Sequence, residues 1–199
     1  MKMEKKMKTD IILAGVGGQG ILSIAAVIGL AAVKETLFIK QSEIHGMSQQ
    51  GGEVYSHLRL SDAPVHSDMI PLGEADLILA VEPLEGLRYL PYLKKEGWLI
   101  SNTAPVKNIA DYPDPERIYG EIRRRPHHLL LDAAALAREA GSAKAANMVM
   151  LGAASPFIQV KEDHLLEAIR ALFSRKGEEV VETNIRAFRA GKEAAMKKR

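Results

Sequence analysis

The 199-residue chain contains no cysteine. Disulfides and thiolate nucleophiles are therefore excluded, and so are the thiolates that usually hold an iron–sulfur cluster. A cysteine-free chain fits a reducing cytoplasm, which is the expected location. Charge of one sign is also missing. The 27 basic residues face 25 acidic ones, for a net +2, so bulk electrostatics offers little to a nucleic acid. Long apolar runs are absent too: residues 20–33 span about 14 residues, against roughly 20 for a bilayer-spanning helix. No apolar stretch follows the first lysines before Ile11, which argues against a signal peptide. A soluble chain is expected. There is no internal repeat and no low-complexity segment. The basic ends, MKMEKKMK and MKKR, read as solvated, frayed tails. Residues 1–8 are thus expected to be a flexible tail, and residues 9–199 a single domain able to bury a core.

What is present is an alternation of strand and helix signals. Residues 10–14 and 77–81 (LILAV) are short continuous apolar runs, as in strands buried on both faces. Residues 36–40 (TLFIK), 53–60 (EVYSHLRL) and 98–101 read as further strands. Residues 19–33 and 83–96 read as helices, the second with Pro83 at its start and Gly97 as its cap. Residues 103–128 hold four prolines and the run Arg123-Arg124-Arg125. They predict a long surface excursion containing one short strand, ERIYGEI. HHLLLDA predicts another core strand, and residues 133–140, 143–151, 161–173 and 178–196 predict helices. The sum is an α/β fold, a Rossmann-like doubly wound, mostly parallel sheet flanked by helices, with a helical C-terminal part. The first helix, ILSIAAVIGLAAV, is apolar or small nearly all round, so both its sides need cover, from the C-terminal helices or from a partner subunit.

Gly15-Val16-Gly17-Gly18-Gln19-Gly20 matches G-x-G-x-x-G between a strand and a helix. In that pattern Gly15 permits the tight turn, Gly17 clears room for a phosphate, and Gly20 lets helix and strand pack closely. A dinucleotide site also needs a carboxylate ending the second strand. Lys40 and Gln41 stand there, and the first acid, Glu43, is expected in the following loop. A nicotinamide dinucleotide site, NADP included since Lys40 could meet a 2′-phosphate, and a purely structural glycine turn both stay open for this loop.

A second polar loop runs from Gln41 to Gly52, with three glycines and three glutamines, and with Glu43 and His45 inside it. In a doubly wound sheet it lies at the same carboxyl edge as the first loop. Two amide-rich loops without a strong acid or base make a binding rim rather than a complete catalytic centre. No catalytic residue and no metal ligand is assigned to this chain. His127 and His128 are adjacent, so on a strand they point to opposite faces. His57 reads as a half-buried strand residue, and His45, inside the second loop, is the histidine worth testing. The Arg123–Arg125 run reads as a solvated face, with the phosphates of an anionic ligand or an acidic partner as its alternative.

GVGGQGIL followed by EIHGMSQQGGEVYSHLRL, with HSDMIPLGEADLILAVEPLEGLRYLPYL and AKAANMVMLGAAS in support, resembles the gamma-type domain of the 2-oxoacid:ferredoxin oxidoreductases. Within that family the pattern is most similar to the small (beta) subunits of the indolepyruvate branch. The resemblance covers roughly residues 9–185. It implies an accessory subunit of an enzyme that decarboxylates aryl 2-oxoacids to arylacetyl-CoA while reducing ferredoxin. It also implies a large (alpha) partner subunit carrying thiamine diphosphate, magnesium and 4Fe-4S clusters, with coenzyme A as co-substrate. This chain has no Gly-Asp-Gly stretch for magnesium. The rim residues implied are Gly15, Gly17, Gly18, Gln19, Gly20, Ser48, Gln49, Gln50, Gly51 and Gly52. Family members often carry Arg where Gln50 stands, which keeps hydrogen-bonding capacity without the charged fork suited to phosphate.

Overall fold

In a computed structural model that describes residues 7–46 and 51–198, six strands form one sheet. The elements run β1 (Lys8–Val16), α1 (Ile21–Lys34), β2 (Phe38–His45), β3 (Glu53–Ser61), β4 (Ala75–Ala80), α2 (Pro83–Arg88), β5 (Leu93–Asn102), α3 (Pro115–Arg123), β6 (His128–Leu131), α4 (Ala133–Glu139), α5 (Ala146–Ala154), α6 (Glu162–Phe173) and α7 (Glu178–Lys198). The strand order is β2-β3-β1-β4-β5-β6. β1, β4, β5 and β6 are mutually parallel, whereas β3 is antiparallel to both β1 and β2. The mostly parallel, doubly wound sheet expected from the sequence is present, with one reversed strand between β1 and β2.

Alternate residues of the central strands enter two separate cores. Ile11, Leu13, Leu77, Leu79 and Ile100 face α1 and α4 to α7. Ile12, Ala14, Ile78 and Leu99 face α2 and α3. Both faces are covered, which is why these strands read as unbroken apolar runs. The all-round apolar α1 lies on the first face and is covered by the chain's own helices, mainly α6. Leu22, Leu30 and Val33 nevertheless remain exposed on it.

Four local expectations are corrected. The helix read over 83–96 stops at Arg88, and Leu90–Tyr92 form a single 3-10 turn around Pro91. Residues 93–97, expected in that helix, open β5 instead, and Gly97 is no cap. It sits at a register shift against β4, where a Cβ would lie 2.9 Å from the Ala75 carbonyl oxygen. ERIYGEI is not a strand but most of α3, with the Asp114 carboxylate accepting the Glu116 N–H. The MKKR end is helical through Lys198, whose ammonium donates to the Leu130 carbonyl on the edge strand β6 at 2.9 Å. At the other end, residues 1–6 of the expected tail lie outside the described residues. β1 already begins at Lys8, and Met7 N–H donates to the Asp62 carboxylate at 2.8 Å.

Candidate functional site

The two glycine loops meet. The Gly17 N–H donates to the Gly52 carbonyl at 2.9 Å, across the carboxyl ends of β1 and β2. The first loop lies at the switch point of the sheet, where β1 leads to α1 on one face and β4 leads to α2 on the other. Crevices at such points are the usual ligand sites of open α/β sheets. Ser48, Gln49 and Gln50 lie outside the described residues.

The glycines of the first loop divide their roles differently from the sequence expectation. Gly15 still belongs to β1, and a Cβ there would come within 2.2 Å of a Val81 methyl. It is a packing glycine. The turn is made by Gly18 and Gly20, whose φ angles are 96° and 79°, a region that favours glycine. A Cβ on Gly20 would also meet the Asn147 amide at 2.5 Å, so the close approach is to α5 rather than to a strand. Gln19 is turned inward. Its Oε1 accepts the Val16 N–H at 2.8 Å and its Nε2 donates to the Val81 carbonyl at 3.3 Å. The Asn102 amide donates to the same Val81 carbonyl and accepts the Ala133 N–H. The Asn147 amide donates to the Gly20 carbonyl at 3.4 Å. The Gln19 and Asn147 amides thus hold the loop from behind, and Asn102 fixes the Val81 carbonyl that Gln19 uses.

Around this loop lie three depressions. One of about 200 Å³ is bounded by Gly18, Gln19, Asn102, Lys144 and Asn147. A second of about 610 Å³ continues from Lys144 and Asn147 toward Lys176 and Asn184. A third of about 370 Å³ runs along Gly17, Gly18, Leu22 and His45. Lys144 and, farther out, Lys176 bring positive charge to these depressions, and neither has a motif in the sequence to mark it. His45 lies in the third groove with its Nε2 against the carboxylate of Glu43, which is inside β2 rather than in the loop that follows.

The other histidines stay out of the rim. His57 is fully buried rather than half-buried, with Nδ1 accepting the Ile70 N–H at 3.1 Å, and burial pushes its imidazole pKa down. His127 lies beside Glu96, and His128 Nδ1 is 2.7 Å from the Arg125 carbonyl. The arginine run ends α3 and leads into the amino end of β6, the edge opposite the glycine loops. Arg123 and Arg124 pair there with Glu116 and Glu121. Among the described residues no cluster of three or more His, Asp or Glu is placed to hold a metal. With no cysteine either, the chain offers no fit for an iron–sulfur cluster. No helix among the described residues is long and apolar enough to cross a membrane.

A group of acids and tyrosines supports the rim from the α2 side. The Tyr89 hydroxyl donates to the Glu53 carboxylate, and the Tyr55 and Tyr89 rings are 4.5 Å apart. Glu85 is 2% exposed. Burial pushes its carboxyl up to about 7, opposed by Arg88 at 3.2 Å and aided by Glu53 and Glu82. Its pKa in the fold is above the ordinary 4.5, so the neutral form is favoured there. That stability is fully present below pH 4.5 and is lost as pH rises through about 7. At about 1.4 kcal/mol per pH unit, the loss is at most about 3–4 kcal/mol. Glu85→Gln is expected to flatten the melting temperature across this window. An unchanged pH profile would refute the assignment.

Residues 10–194 match the family model described as pyruvate ferredoxin/flavodoxin oxidoreductase. The chain is 38% identical over 196 residues to the indolepyruvate oxidoreductase subunit IorB of Pyrococcus horikoshii, covering 94% of this chain and 95% of that one. The corresponding subunit of Methanothermobacter thermautotrophicus is 37% identical, covering 95% and 98%. Among solved structures, the 2-oxoglutarate:ferredoxin oxidoreductase of Magnetococcus marinus, with 2-oxoglutarate, coenzyme A and succinyl-CoA bound, superposes with a TM-score of 0.77 at 25% identity. The match takes in 98% of this chain and spans about a third (32%) of that one. A gamma subunit from Geobacter sulfurreducens, at 24% identity and a TM-score of 0.68 over 95% and 99% of the two chains, shares the fold. The family-model match over residues 10–194 and the near full-length relatives lead to one assignment. The chain belongs to the pyruvate ferredoxin/flavodoxin oxidoreductase family, as an accessory subunit of a 2-oxoacid:ferredoxin oxidoreductase.

Proposed function

We propose that this subunit serves the oxidative decarboxylation of indolepyruvate or related aryl 2-oxoacids to arylacetyl-CoA, with its glycine rim facing coenzyme A. The observation that carries the reading is the direct bond between the two loops, Gly17 N–H to Gly52 carbonyl. It makes one surface of Gly17, Gly18, Gly20, Gly51 and Gly52, with Gln19 bracing it from inside. Lys144, at the edge of the adjoining depressions, suits the phosphates of the coenzyme by simple charge. Thiamine diphosphate, magnesium and the clusters belong on a larger partner subunit, where they supply the carbanion and electron-transfer chemistry. This chain's own residues bind and orient the thiol co-substrate and shield the partner's centre from water. A reducing cytoplasm is the matching location.

The experiment is co-purification with the large subunit, followed by assay. The isolated chain is expected to be colourless and inactive. The complex is expected to reduce a dye with indolepyruvate only when coenzyme A is present. A lone chain that turns over a nicotinamide substrate, or a complex indifferent to coenzyme A, refutes the reading. The dinucleotide alternative fits the fold poorly. β3 separates β1 from β2, which moves the end of β2 about 5 Å farther from the glycine loop than in an adjacent pair. Glu43 is moreover occupied by His45.

A further inference from the structure

Residues 103–112 have no regular secondary structure, and from the sequence they read as a surface excursion. Their anchoring is unusual for one. Glu82, just after β4, is 1% exposed, and among the described residues its hydrogen-bond partners include no cation. One carboxylate oxygen accepts the Glu85 N–H at 2.8 Å and so caps α2. The other accepts the Val106 N–H at 3.2 Å and the Tyr112 hydroxyl. A buried carboxylate is costly unless its lone pairs are met, and here two of its three donors come from the same excursion. The Tyr119 hydroxyl closes the other end by donating to the Thr103 carbonyl. Between these anchors the exposed Asn108 reaches over and donates to the Gly51 carbonyl at 2.7 Å. A continuous chain of bonds therefore runs from the sheet edge through Glu82, Val106, Asn108 and the Gly51-Gly52 turn to the Gly17 N–H.

We propose that residues 103–112 are a third wall of the coenzyme rim, and that Glu82 is the positioning residue that sets this wall and, through Asn108, the Gly51-Gly52 turn. The proposal rests on the reading of the rim as coenzyme-facing. Glu82 touches neither substrate nor cofactor; it acts through the segment it holds. Of the bonds in this chain, the one from Asn108 is exposed, so its removal leaves the fold intact. The one at Glu82 is buried, and its loss loosens the whole wall.

The test uses the purified complex with its large subunit. Asn108→Ala is expected to raise the coenzyme A KM about three- to tenfold, the size of one hydrogen bond. The 2-oxoacid KM and kcat at saturating coenzyme are expected to stay within about twofold. Glu82→Ala is expected to raise the same KM further, and Glu82→Gln, which keeps one acceptor oxygen, to recover part of the loss. In the isolated chain, NMR exchange of the Gly17 amide is expected to quicken at least about threefold in Asn108→Ala, because its acceptor turn is released. Unchanged Gly17 exchange, or equal effects on both KM values, overturns the proposal. A wild-type complex with no coenzyme A dependence instead refutes the function on which it rests, so the two failures are distinguishable.

Discussion

Replacing Arg59 by methionine is expected to destabilise the chain by about 3–5 kcal/mol, the usual result of removing one partner of a buried ion pair. The Asp10 carboxylate beside it is completely buried. Arg59 meets it through Nε at 2.9 Å and Nη2 at 3.2 Å. Lys8 approaches Asp10 from the surface at 2.7 Å but is half exposed, and so compensates little. The guanidinium also donates to the Ser67 and Met69 carbonyls at 3.0 and 2.9 Å, which pins the segment after β3. Asp10→Leu combined with Arg59→Met removes both charges, and is expected to recover most of the loss. Urea melts of the two single variants and the double variant decide the matter. An Arg59→Met chain within about 1 kcal/mol of wild type would show that the pair is solvated rather than buried.

Gly152→Ala and Gly191→Ala are each expected to destabilise the chain by about 2 kcal/mol or more. Helices α5 and α7 cross where these glycines face the opposite backbone. A Cβ on Gly152 would lie 1.8 Å from the Phe188 carbonyl oxygen, and one on Gly191 would lie 1.9 Å from the Val149 carbonyl oxygen. Neither obstacle is a flexible side chain, so one helix has to slide. Alanine gains about 1 kcal/mol of helix propensity over glycine. Overpacking against backbone costs about 3 kcal/mol or more, and the clash wins. The expected readout is a melting temperature lowered by several degrees, with the rim chemistry lost in proportion to folding. A neutral or stabilised Gly152→Ala chain would mean that the helices stand farther apart.

Much of the sheet and the pairing of the glycine loops was legible in the sequence, because apolar runs and glycine clusters are local signals. The placing of β3 was not. EVYSHLRL alternates as a strand should, but nothing local says that it pairs with β1 in reverse and displaces β2 outward. Residues 93–97 carry Lys94, Lys95 and Glu96, a composition that suits a helix. Sheet pairing and the Lys94–Asp76 ion pair override that preference. ERIYGEI misleads in the opposite direction. Ile118 and Ile122, four apart, are its buried positions, and Asp114-Pro115 before them is a helix start. In the site, the glycine identities were readable while their roles were not. Gly15 is set by Val81, 66 positions away, and Gly20 by Asn147, on the other side of the sheet sequence. Glu82 was hidden for the same reason, since its partners at 106 and 112 come together only in the fold.

The reversed strand gives the two halves of the rim unequal freedom to change. β2 and β3 are neighbouring antiparallel strands that follow one another in the chain, so their connection closes a hairpin. Insertions or deletions at such a connection leave the ladder beneath it undisturbed. The loop from Gly15 to Gly20 has no such slack, being wedged between Val81, Asn147 and the start of α1. A change of loop length in this chain is therefore expected to be tolerated at one lip of the opening, while the other keeps a constant gauge.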